Sequence, residues 1–75
     1  MVGVSMGRTV VKKDRRPYIT TTWGMSGYFA VLMSWYDDMN GYDVSQTGVG
    51  RYRTLREAQN EANSWGMNEG IRVLL

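Results

Sequence analysis

Tyr28-Phe29-Ala30-Val31-Leu32-Met33-Ser34-Trp35-Tyr36-Asp37-Asp38-Met39-Asn40-Gly41-Tyr42-Asp43-Val44-Ser45-Gln46-Thr47 is the stretch on which the fold turns. Its first nine residues are dominated by aromatic and aliphatic side chains, the composition of a strand. Asn40-Gly41 is a strong hairpin signal, because both residues tolerate positive φ. Residues 42–47 are then the returning strand. Pairing across that turn with an odd residue sum puts Phe29, Val31, Met33, Trp35, Tyr42 and Val44 on one face. Tyr28, Ala30, Leu32, Ser34, Tyr36, Ser45 and Thr47 fall on the other. The first set is bulkier and is expected to face the core. A slip of one residue would invert the assignment.

Upstream, Gly24-Met25-Ser26-Gly27 reads as a turn, and Tyr18 to Trp23, rich in Thr and aromatics, as a preceding strand. Pro17 breaks the chain before it, since proline cannot donate to a ladder. Arg8 to Lys13, with Thr9-Val10-Val11, could form a short edge strand, and residues 1–7 read as a loose terminus.

Downstream, Gly48-Val49-Gly50 loosens the chain. Thr54-Leu55-Arg56-Glu57 then fits a capping box that opens a helix. Leu55, Ala58, Ala62 and Trp65 recur at helical spacing within an arc of about 80°, a single apolar stripe. That stripe is expected to lie on the Phe29 and Trp35 face. Gly66 reads as the stop, Met67 to Gly70 as a turn and Ile71 to Leu75 as a last strand. The expected fold is α+β: a small antiparallel sheet of three to five strands with one helix on one face, in the order β-β-β-α-β. Residues 1–17 form a basic arm and residues 18–75 one domain.

Composition narrows the chemistry. The 75 residues include no cysteine and no histidine. That removes disulfides, thiolate metal sites, and the commonest general base and metal ligand. No metal, no cofactor and no enzymatic activity is expected. Ser5, Ser26, Ser34, Ser45 and Ser64 have no histidine to activate them. A pairing of one of them with Lys12 or Lys13 is supported by no motif. Asp37 and Asp38 are adjacent, so on a strand they point apart, and they read as a solvated hairpin end. The longest strongly apolar run, Tyr28 to Met33, is far below the ~20 residues of a membrane span. With no apolar signal segment at the start, a cytoplasmic protein without membrane contact is expected.

Charge is uneven. Residues 1–17 carry Arg8, Lys12, Lys13, Arg15 and Arg16 against Asp14, a net +4, whereas residues 18–75 carry −2. The basic arm could meet phosphates or an acidic protein. Arg51, Arg53 and Arg56 flank the Gly48-Val49-Gly50 turn and the helix start, a candidate anion site, although the loop lacks the rest of a phosphate-binding motif. Tyr28, Leu32 and Tyr36 stand two strand steps apart on the face expected to lack helical cover. With the arm, they are the candidate partner-binding residues, tyrosine being enriched at interface hot spots.

Arg51-Tyr52-Arg53-Thr54-Leu55-Arg56-Glu57-Ala58, continuing through Ala62, Trp65 and Gly70, resembles a pattern of small bacteriophage proteins. In these a strand leads into a Thr-capped helix with an alanine ridge and a Trp, and a glycine turn leads to a last strand. Over roughly residues 28–75 the chain is similar in style to anti-CRISPR proteins and to compact phage inhibitors of RNA polymerase. The resemblance implies a phage inhibitor that contacts a host protein or ribonucleoprotein complex. Thr54, Glu57, Ala58, Ala62 and Trp65 match as structural positions only. Two alternatives stand beside it: a small nucleic-acid-binding protein using the arm, and a homodimer paired through the outer sheet face.

Overall fold

Among the described residues, three strands form where the branched and aromatic residues cluster: β1 (Tyr18–Gly24), β2 (Gly27–Tyr36) and β3 (Gly41–Thr47). One helix follows, α1 (Leu55–Glu69). The computed structural model describes residues 14–75, so the strand expected within Arg8–Lys13 lies outside the described residues. The architecture is α+β, an antiparallel sheet in the order β1-β2-β3 with the helix on one face.

Local chemistry explains each boundary. β1 and β2 are joined through the Gly24↔Gly27 pair, leaving Met25 and Ser26 as the loop. Gly27 has φ 119°, and a Cβ there would strike the carbonyl oxygen of Tyr52, so only glycine fits. The turn from β2 to β3 is longer than an Asn-Gly hairpin. Tyr36 pairs with Gly41 across residues 37–40, and only Asn40 takes positive φ, at 52°.

The faces follow the odd-sum register as far as Met33↔Val44 and Trp35↔Tyr42. Between Leu32 and Met33 the register then shifts, and Leu32 pairs with Gln46 and Val31 with Thr47. Ser45 is the extra residue of a bulge. Its hydroxyl donates to the Leu32 carbonyl at 3.2 Å and lies 2.8 Å from the Ser34 hydroxyl. The bulge carries Thr47 to the Val31 side, opposite to its expected face.

The helix lies on the face that was expected to be free. Ile19, Ala30 and Ala62 are fully buried together, with Leu32, Trp65, Ile71 and Val73 packed around them. Phe29, Val31, Met33, Trp35, Tyr42 and Val44 therefore point away from the helix. Bulk was the wrong criterion. The stripe of α1 buries Ala58, Ala62 and Gly66, a ridge of small residues. Such a ridge can approach closely only over a small residue, and Ala30 supplies it at mid-strand.

Thr54 caps α1 as expected. Its Oγ1 accepts the Glu57 N–H at 3.3 Å and donates to Glu57 Oε1 at 2.8 Å. Gly66 does not stop the helix. The helix runs to Glu69 and ends at Gly70, in the left-handed conformation with φ 70°, whose N–H meets the Gly66 carbonyl. The final segment returns along the outer edge of β1. Ile19 N–H donates to the Arg72 carbonyl and Leu74 N–H to the Ile19 carbonyl, both at 2.9 Å, a parallel bridge at Ile19↔Val73. No described helix is long and apolar enough to cross a membrane.

Candidate functional site

The row proposed for partner contact is largely covered. Leu32 packs in the core and Ala30 is fully buried. Tyr28, on the same row, exchanges two backbone hydrogen bonds with Tyr52, at 2.8 and 2.9 Å. Tyr36, at the strand end, remains 38% exposed. Tyr28, Leu32 and Tyr36 thus do not form an uncovered patch, because α1 lies on their face. Pairing of two copies through that row meets the same obstacle.

The anion site is filled from within. Val49 N–H donates to Glu61 Oε2 at 3.1 Å and Gly50 N–H to Glu61 Oε1 at 3.2 Å. Tyr52 Oη donates to Glu61 Oε1 at 2.9 Å, and that bond raises the tyrosine's pKa. One carboxylate of α1 thus takes the donors a bound phosphate would need. The shallow groove beside it is lined by Tyr52, Glu57, Asn60, Glu61 and Ser64, with both acids already engaged. Arg51 turns away from the helix start. Its Nη1 donates to the Gly48 and Gly50 carbonyls at 2.9 Å, and its guanidinium lies 4.2 Å from the Phe29 ring centroid. Arg53 and Arg56 are exposed. The glycine pattern alone did not reveal that a side chain eleven residues away would occupy the loop.

A different cluster is assembled at the end of the sheet formed by the start of β1, the end of β2 and the start of β3. There Tyr18, Trp35 and Tyr42 share the face opposite α1. The Tyr42 ring meets Trp35 edge-on at 5.3 Å and Tyr18 edge-on at 4.9 Å, orientations that aromatic quadrupoles favour. Trp35 Nε1 donates to Asp37 Oδ1 at 2.8 Å, which fixes the indole. Burial is the main cause of the upward shifts in the Tyr18 and Tyr42 pKa values.

Arg72 ties residues 14–17 to this cluster. Its Nη1 and Nη2 donate to the Asp14 carboxylate at 2.6 and 2.7 Å, Nη2 also to the Arg16 carbonyl at 2.9 Å, and Nε to the Pro17 carbonyl at 3.3 Å. Tyr42 Oη donates to the same Arg16 carbonyl at 2.8 Å, and Asp14 Oδ1 accepts the Arg16 N–H at 3.0 Å. The two-pronged hydrogen bond from Arg72 holds the Asp14 carboxyl well below the usual carboxylate range. Two members of the basic arm are thereby presented on a fixed backbone. Arg15 has φ 61° and places its guanidinium 5.0 Å from the Trp35 centroid. The Arg16 side chain is 70% exposed and pairs with Asp14 at 3.4 Å. Arg8, Lys12 and Lys13 lie outside the described residues.

Three arginines thus stand over three rings of one face: Arg15 over Trp35, Arg51 over Phe29 and Arg72 over Tyr18. The opposite side carries α1, with Glu57, Glu61 and Glu69 against Arg56. At the far end of the sheet, Trp23 is 75% exposed beside a fully exposed Met25 in the first hairpin. Searches of family models, curated proteins and solved structures find no significant match to this chain.

Proposed function

We propose that this chain is a non-enzymatic nucleic-acid-binding module that works through the sheet face opposite its helix, together with the basic arm, whose Arg15 and Arg16 stand at the edge of that face. One observation carries the reading: the three cation–π pairs fall on a single face, where Arg72 offsets Asp14, while the helix on the other side carries three glutamates against Arg56. A polyanion is attracted to the first side and repelled by the second. Interleaved arginine and aromatic groups suit a ligand that alternates phosphates with flat rings. In sequence, the arm adds Arg8, Lys12 and Lys13 upstream of the clasped Asp14, cations that a polyanion would also attract.

A gel-shift series with DNA and RNA at rising salt tests it. Binding is expected at low salt and should weaken steeply as salt rises. Absence of any shift at low salt would remove the proposal.

Inhibition of a host machine by protein contact is the second reading. It now rests on Trp23 and Met25, because a tryptophan with three quarters of its surface in water is the strongest single anchor for a protein partner. A phage origin adds only the resemblance noted above. Its test is Trp23→Ala in capture of host RNA polymerase or a CRISPR effector complex. Loss of capture by a folded variant would favour this reading, and capture that is absent from the start or unchanged would remove it.

A further inference from the structure

We propose that the corner built from Arg15, Trp35 and Tyr42 receives an unpaired nucleobase stacked on Trp35, so that the substrate class is single-stranded nucleic acid. This inference rests on the nucleic-acid reading above and specifies its ligand.

The three arginine–ring pairs are not equivalent. Arg72 is locked by four hydrogen bonds to Asp14, Arg16 and Pro17. Arg51 is held by the Gly48 and Gly50 carbonyls. Arg15 alone of the three has no hydrogen bond from its guanidinium among the described residues, and the Trp35 ring is what it touches. Two of the pairs are therefore structural, and the third can exchange.

The ring beneath Arg15 is prepared for an exchange. Trp35 is held by Asp37 through its indole N–H and by the Tyr42 ring, which packs perpendicular to it. A fixed ring loses little freedom when a second plane settles on it. The backbone that carries Arg15 is also unusual. A non-glycine residue at φ 61° is strained and persists only where its surroundings enforce it. Here Asp14, Arg72 and Tyr42 do so by holding the residues on either side. Such strain collects at ligand clamps.

Stacking of a base on tryptophan is stronger than an exposed cation–π contact. A base can therefore take the place of the guanidinium, which then moves to a neighbouring phosphate. Both partners keep an interaction. Duplex DNA or RNA cannot use this exchange, because its bases are already stacked on one another and offer only edges and phosphates. The arm would attract either form, but only the single strand gains the ring.

The test uses the full chain, with fluorescently labelled oligo-dT, oligo-U and a hairpin duplex at equal salt. Single strands should bind about tenfold tighter than the duplex, the scale of one base stack. Trp35→Leu should lower single-strand affinity about tenfold and leave duplex affinity unchanged, and Trp35→Phe should restore most of the loss. Should Trp35→Leu fail to fold, the emission of Trp35 decides, read in Trp23→Phe protein as the part of the signal that an aqueous quencher reaches, the remaining Trp65 being packed against the core. It should be quenched by the single strand and not by the duplex. Equal affinity for both forms, or equal quenching, overturns the single-strand inference and leaves the nucleic-acid reading standing. Failure of all three probes to bind at low salt overturns the reading itself.

Discussion

Arg72 shows how much one side chain can organise here. Its planar fork reaches a carboxylate and two backbone carbonyls at once, which a lysine ammonium cannot match. The clasp depends on an ionised Asp14. Because the folded-state pKa is depressed, its contribution is fully present above the ordinary value of 3.8 and fades as pH falls from there towards the lower folded value. We expect Asp14 to remain ionised at about pH 3, where unperturbed carboxyls are mostly protonated. Carboxyl-carbon NMR through an acid titration measures this residue by residue. In Arg72→Lys protein the Asp14 midpoint should rise towards 3.8. A wild-type midpoint already near 3.8 would show that the clasp does not form in solution.

At the scale of elements, the contact between α1 and the returning C-terminal segment depends on Gly66. A Cβ there would overlap the Val73 side chain and lie 2.7 Å from the Ile71 carbonyl oxygen. Two effects oppose each other in Gly66→Ala. Helix propensity favours alanine by about 1 kcal/mol, whereas overpacking costs about 1–3 kcal/mol. The backbone carbonyl cannot swing aside as a side-chain methyl can, so the clash wins and a net loss of about 1 kcal/mol is expected by urea denaturation. A stabilised variant would mean that the two segments are not in close contact. Gly66 also marks where the sequence was legible and where it was not. The hairpin, the Thr54 cap and the apolar stripe rest on neighbours within a few residues, and they were readable. Gly66 has two local meanings, a stop or a close approach, and only Val73 decides between them. Face choice failed similarly. It depends on how Ala30 and Ile19 fit against Ala62 across the interface, while the bulk of Phe29 and Trp35 on one strand pointed the other way. The bulge at Ser45 left no turn residue or glycine as a sign.

Over the whole molecule, the same inversion moved the candidate site. Leu32 packs into the core beneath the helix and Tyr28 pairs with Tyr52, while Arg15 and Arg16 gained a fixed setting because Arg72, more than fifty residues away, reaches back to Asp14. No local pattern encodes such a pairing. The resulting division of charge has a measurable consequence. Each phosphate neutralised on a single strand contributes about −0.7 to the slope of log affinity against log salt. Arg15→Ala with Arg16→Ala should therefore reduce the magnitude of that slope by about 1.4 if both side chains meet phosphates. Arg56→Ala, on the acidic helix side, should leave it unchanged. Slope is the better readout than affinity at one salt concentration, because a variant that merely loosens the fold weakens binding without changing how many ions are released. A slope unaffected by the double substitution but reduced by Arg56→Ala would place the polyanion along the helix instead of the arginine-capped sheet face.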